Sequence, residues 1–167
     1  MSVEVVPIAE RHIASFRAAL DAVARERKYL AQIEAQPLDS VRAFVRKSIA
    51  SDLPHFVAVE DDLVLGWCDI IPAWAHAVQH RGTLGMGVLS EHRYRGIGRR
   101  LLAACLEKAK HKGITRVELE VRADNSPAIR LYETFGFTRE ADLRHGLRID
   151  GKYYDAVQMC LIDDADV

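Results

Sequence analysis

Hydrophobic positions change period several times along the chain, and each change marks an element. Val3 to Ile8 is a short apolar run that predicts a first strand. Ile13, Phe16, Leu20 and Val23 recur at helical spacing, with Arg11, Arg17 and Asp21 on the other side, which predicts an amphipathic helix. Pro37 interrupts, and Asp39 or Ser40 is expected to cap a second helix with Val41, Phe44, Val45 and Ile49 on its apolar face. Phe56 to Glu60 and Leu63 to Ile71 predict two strands joined at the acidic turn Asp61-Asp62.

Gly82 to Leu89 predicts a further strand, weakened by Gly82, Gly85 and Gly87; such glycines mark a bulge or a close approach of ligand or backbone. The strongest helical pattern follows. Ile97, Leu101, Leu102, Cys105, Leu106 and Ala109 share one face, Lys108 to Lys112 suit the negative end of the dipole, and Gly113 is the stop. Thr115 to Val121 predicts a strand and Ala128 to Phe135 a short helix ended by Gly136. Phe137 to Ile149 and Lys152 to Ile162 are expected to pair across Asp150-Gly151, a type I′ hairpin signal. The sum is a mixed α/β domain with about seven strands and four helices.

Composition narrows the classes. The 167 residues are 49% hydrophobic and 28% charged, without repeat or linker, which fits one globular domain over residues 1–167. Lys plus Arg is 23 and Asp plus Glu is 24, a net charge of −1, which argues against nucleic acid or an anionic membrane as partner. The longest apolar runs fall short of the ~20 residues that cross a bilayer. Met1-Ser2-Val3-Glu4 lacks the basic and apolar regions of a secretory signal, so a cytoplasmic setting is expected. Cys68, Cys105 and Cys160 are odd in number and set in apolar surroundings, which fits reduced, buried thiols.

Candidate chemistry concentrates in Arg93-Tyr94-Arg95-Gly96-Ile97-Gly98-Arg99-Arg100, between a strand and the long helix. Amides exposed at a helix N-terminus favour an anion, and the glycines carry no Cβ to hold a phosphate away. The alternative is a polar loop leading into a solvated helix face. No Gly-Lys-Ser/Thr loop is present, and Gly96-x-Gly98 is followed by Leu101 rather than the third glycine of a dinucleotide fingerprint. A second block, Leu119 to Phe137, has Asn125 or Ser126 as helix cap and Pro127 in the first turn, with Asn125, Ala128 and Tyr132 on one side. His76 and His80 stand at i, i+4, a metal-ligand spacing on a helix, but no carboxylate or cysteine lies near in sequence to complete a site. They are expected to line a substrate entrance, with no metal assigned.

Together these blocks resemble the two cofactor motifs of the GNAT superfamily of N-acetyltransferases. Arg93, Gly96 and Gly98 match the loop Gln/Arg-x-x-Gly-x-Gly/Ala, and the likeness runs from about Gly66 to Leu161. The resemblance implies a mostly antiparallel mixed sheet flanked by helices, acetyl-CoA as acetyl donor, and direct transfer to a primary amine. It implies cofactor contacts from Met86, Gly87 and Val88, from Arg93, Tyr94, Arg95, Gly96, Ile97, Gly98 and Arg99, and from Asn125, Ala128 and Tyr132. Tyr132 matches the tyrosine that protonates the departing thiolate. Glu120 matches the general base of bacterial relatives that acetylate a ribosomal protein's N-terminus, a role that requires its pKa to be raised by burial. Relatives that acetylate free amino acids match the C-terminal part equally well and do not all keep that acid. Tyr29, Trp67 and Asp69, with Glu34 and Trp74, are candidates for an acceptor pocket. The acceptor expected is a small-molecule amine or amino acid. The alternatives are a protein N-terminus or a CoA-binding module without turnover, and a homodimer is left open.

Overall fold

The computed structural model describes residues 2–165. Its elements are β1 (Glu4–Pro7), α1 (Ile13–Arg25), α2 (Leu38–Ala50), β2 (His55–Glu60), β3 (Leu63–Pro72), β4 (Arg81–Val88), α3 (Ile97–His111), β5 (Arg116–Arg122), α4 (Ser126–Thr134), β6 (Thr138–Ile149) and β7 (Lys152–Ile162). Short 3-10 turns add Glu10–His12, His76–Val78 and Ser90–His92. The seven strands form one sheet in the order β1-β2-β3-β4-β5-β7-β6, and β4 beside β5 is its parallel pair. The expected mixed, mostly antiparallel sheet with four helices is what forms.

Alternation along the strands divides the core in two. Cys68, Ile70, Leu84, Val117, Leu119 and Val121 face α3 and α4, where Leu101 and Leu102 are fully buried. Burying each leucine contributes roughly 1.5–3 kcal/mol. Val57, Val59 and Trp67 face the other way, against Phe16, Val23, Val41 and Val45 of α1 and α2. Asp61 and Asp62 both take positive φ in the β2–β3 turn, as Asp150 and Gly151 do between β6 and β7. Such pairs are the type I′ geometry that the right-handed twist of a hairpin selects.

Two local expectations change. Neither Asp39 nor Ser40 caps α2; the helix starts earlier, because Pro37 has extended backbone and its carbonyl accepts from the Ser40 and Val41 amides. Asp39 sits inside the first turn and pairs with Arg42 at 2.6 Å. On the expected apolar face Val41 and Val45 are buried, whereas Phe44 and Ile49 are 36% and 44% exposed.

The β4 glycines mark no bulge in the pairing with β3. Register with β3 runs unbroken from Gly66 opposite Val88 to Pro72 opposite Gly82. Gly82 and Gly87 each admit a neighbour's side chain, whereas Gly85 lies at ordinary contact distance from Asp69. A Cβ on Gly82 would fall 2.6 Å from Ile70 Cγ2, and one on Gly87 would fall 2.8 Å from Trp67 Cζ2 and closer still to Cη2. Gly87→Ala is therefore expected to destabilise the fold by about 1–3 kcal/mol, read as a lower urea midpoint at unchanged slope, because the buried indole must move off Phe16. An unchanged midpoint would show that the indole shifts freely.

Candidate active site

The parallel pair is where the sheet opens. β4 and β5 are in register only over Arg81, Gly82 and Thr83 with Arg116, Val117 and Glu118. Beyond that point β4 stays paired with β3, and β5 with β7 along its whole length, so the two ribbons part. The β5-facing edge from Leu84 to Val88 is left without a strand partner, a template for an extended chain to add to. The start of the gap is pinned: the Thr115 and Arg116 amides both donate to His80 O, and Arg81 and Arg116 hold Glu118.

Directly above the gap, α3 begins. Gly96 is its N-cap with φ +77°, left-handed backbone that favours glycine, and a Cβ there would meet nothing within 4 Å. Tyr94 also has positive φ and is 89% exposed. The first bond of the helix runs from the Arg100 amide to Gly96 O, so the amides of Ile97, Gly98 and Arg99 lack intrahelical acceptors. No acid lies in this first turn and no side chain caps it. Gly98 lies against Met86 and Leu131, where a Cβ would make ordinary contacts at 3.5 and 3.6 Å.

The four arginines do not act as one cluster. Arg93 donates Nε to Val88 O at 2.9 Å, meets both Glu26 oxygens and stacks over Tyr29, with its carbon Cζ 4.7 Å from the ring centroid. Its guanidinium therefore ties the end of α1 to the end of β4 instead of facing the α3 amides. Arg100 reaches Val3 O, Arg95 lies 3.0 Å from His92 Nδ1, and Arg99 lies over Phe135. Tyr29, a candidate for the acceptor pocket, is thus held beneath Arg93, next in the chain to the cleft-lining Leu30.

On the far side of the gap, Asn125 caps α4 by accepting from the Ala128 amide at 3.4 Å, which leaves its NH2 group free of that bond. Tyr132, one turn beyond Ala128, is 7% exposed and tilts against Phe137. Burial, with the Cys68 thiol nearby, raises its phenol above the ordinary value of about 10.

Two carboxylates face the gap from the α1–α2 side. Thr83 and Glu118 are in register, so alternation places Glu120 on the face that carries Gly85, one step further along β5. Glu120 is exposed, so the burial required of a base with raised pKa is absent there. Asp69 stands opposite Gly85 on β3, its Oδ1 3.5 Å from where a Gly85 Cβ would be. Desolvation pushes its carboxyl up to about 7. Asp69 and Trp67 lie on one wall of a cleft of about 390 Å³ whose other wall is Phe16, Leu20, Val41 and Phe44. Trp67 itself is 3% exposed and packed edge-on to Phe16. Of the other pocket candidates, Trp74 is 91% exposed and Glu34 pairs with Arg25. The α1 and α2 side chains were not legible as pocket residues, since helical spacing reads them only as core. His76 lies in a 3-10 turn against Gln79, and His80 precedes β4, so the pair does not share a helical face.

The acetyltransferase (GNAT) family model matches residues 18–137, more than half of the chain. The chain belongs to the GNAT acetyltransferase family. It is 35% identical over 111 residues to an N-alpha-acetyltransferase of Sulfurisphaera tokodaii, covering 61% of this chain and 66% of that one. It is 37% identical over 67 residues to a [ribosomal protein bS18]-alanine N-acetyltransferase of Salmonella typhimurium, covering 40% and 45%. The chain spans between 14% and 66% of the length of the curated relatives it matches. Among solved structures, yncA of Salmonella typhimurium, determined with its cofactor acetyl-CoA, superposes with a TM-score of 0.91 at 18% identity, covering 100% of this chain and 98% of that one. At that identity the likeness is one of fold. No helix among the described residues is long and apolar enough to cross a membrane.

Proposed function

We propose that this protein is an acetyl-CoA-dependent N-acetyltransferase that moves an acetyl group directly onto a primary amine. The observation that carries the reading is the gap between β4 and β5, open beneath an uncapped α3 N-terminus. A thioester with a long arm and a diphosphate fits both parts: the arm along Met86, Gly87 and Val88, the anion at the amides from Ile97 to Arg99. Acetyl-CoA would supply an activated acyl carbon; the protein's part is to place it and move protons. Asn125 and Ala128 border the arm, and small Ala128 leaves it room. Arg95 and Arg99 remain candidate diphosphate contacts, with Tyr94 exposed beside them. Arg93 acts on the cradle indirectly, by bracing β4.

An amine nitrogen bonds to the acyl carbon as the carbon–sulfur bond breaks. The ammonium proton must leave first, because an amine of pKa near 10.4 is deprotonated at pH 7 at a cost of about 4.6 kcal/mol. Glu120 is the proposed acceptor; exposed at the mouth, it works through solvent. Tyr132 stays protonated and is the proposed donor to the departing thiolate. The buried Cys105 thiol donates to Cys68 O at 2.9 Å, which supports direct transfer over an acyl-cysteine step. The acceptor is proposed to be a small molecule rather than a protein N-terminus, because the half-open cleft beside Asp69 is walled by α1 and α2 and its volume of about 390 Å³ suits a small body.

Acetyl-CoA is expected to bind one per chain, to raise the melting temperature by mass action, and to release free thiol when an amine is added. No thermal shift and no calorimetric binding at millimolar acetyl-CoA would overturn the reading.

A further inference from the structure

Across the sheet, His55 of β2, Asp69 of β3 and Gly85 of β4 form a row on the face toward α1 and α2, and by alternation from Glu118 the Glu120 of β5 lies on that face across the gap. His55 is buried between Phe16 and Phe44, bonds Ser48 Oγ through Nδ1 at 3.1 Å, and is held neutral by desolvation, its pKa lowered to about 4. Gly85 contributes no side chain. The groups over Asp69 from α1 are Phe16 and Leu20, from α2 Ser40, Val41 and Phe44, and from the connecting loop the neutral Gln32 and Gln36. Among the residues lining the cleft, Asp69 is the one charged side chain.

That distribution selects a ligand. A half-buried carboxylate in largely apolar surroundings is stabilised by one cation brought to it, and apolar walls favour an apolar body behind that cation. A second anion on the ligand would meet no Arg or Lys in the lining and would face Asp69 across low dielectric. Within the cleft lining a second ammonium would lose its water without finding a second acid, since the exposed Glu120 stands outside that lining. Resting on the acetyl-transfer reading, we propose that the acceptor is a primary monoamine on an apolar body without a carboxylate, its ammonium drawn to Asp69. This excludes free α-amino acids and polyamines as good acceptors. Asp69 then acts as a specificity determinant beside the gap, and Glu120 takes the proton that leaves.

The test uses the full chain with acetyl-CoA and three acceptors: 2-phenylethylamine, phenylalanine, which differs from it only by the carboxylate, and spermidine. Measured as thiol release, kcat/KM for 2-phenylethylamine is expected to exceed that for each of the others by roughly 100-fold or more. Asp69→Asn should lower it by roughly 100-fold and shrink the preference over phenylalanine to within about tenfold, while acetyl-CoA affinity stays unchanged. A merely structural Asp69 would not give the pH signature. In the parent, kcat/KM for 2-phenylethylamine should fall below about pH 7, as Asp69 takes up a proton that the ammonium must displace, and this limb should vanish in Asp69→Asn. Phenylalanine or spermidine used as well as 2-phenylethylamine would overturn the proposal, even if Asp69→Asn fails to fold. So would acetyl-CoA binding without turnover of 2-phenylethylamine. Absence of acetyl-CoA binding would instead overturn the acetyl-transfer reading beneath it.

Discussion

Tyr132→Phe is expected to lower kcat by roughly 10²-fold and to leave acetyl-CoA affinity within about twofold of the parent. The ring is buried against Phe137 and keeps that packing in the variant, so only the hydroxyl is lost. A CoA-type thiolate has a pKa near 8.5, and burial holds the phenol above 10. Complete transfer of the proton is therefore uphill, by about 1.4 kcal/mol for each pKa unit, and the phenol's main contribution is a hydrogen bond to charge developing on sulfur. Because the phenol stays protonated from pH 6 to 9, the defect should be the same across that range. Glu120→Gln should behave differently. Bulk solvent must then remove the amine proton, so the rate recovers as pH rises toward the amine's own pKa. A Tyr132→Phe enzyme as fast as the parent would remove the phenol from the chemistry. A Glu120→Gln enzyme matching the parent at every pH would hand the proton to Asp69, the other acid facing the gap.

Gly96→Asp should weaken acetyl-CoA binding by about 100-fold or more while the protein still folds. A Cβ at Gly96 meets nothing within 4 Å, and aspartate is among the few residues that tolerate left-handed backbone. The new carboxylate would even suit the positive end of α3. It would also stand where the diphosphate must approach, and like charges that close repel by several kcal/mol. Gly96→Asn separates the two effects, since it carries the same backbone strain without charge. Its affinity should lie within about tenfold of the parent's, and high salt should narrow the gap to Gly96→Asp. Parent-like binding by Gly96→Asp, measured by calorimetry, would place the anion elsewhere.

Period and punctuation along the chain determined the elements, because helix and strand face selection is local. Alternation in Val117, Leu119 and Val121 put β5 against α3, and Asn125 with Pro127 set the start of α4. The motif at Arg93, Gly96 and Gly98 located the helix start that could take an anion. Three matters needed the third dimension. Arg93 reads as a phosphate ligand, and only the fold shows that Glu26, 67 residues away, and Val88 O hold its guanidinium. Gly82 and Gly87 read as gaps in a strand until Ile70 and Trp67 fill the space from β3, while Gly85 stays open to the cleft. Asp69 and Glu120 read as two ordinary acids on two strands. Only the sheet order places them on one face on either side of a gap, and only the packing of α1 and α2 over β3 desolvates Asp69 while leaving Glu120 in water. Desolvation depends on what covers a residue, and what covers Asp69 comes from helix residues about 25 to 53 positions upstream in sequence, beyond the reach of any local pattern.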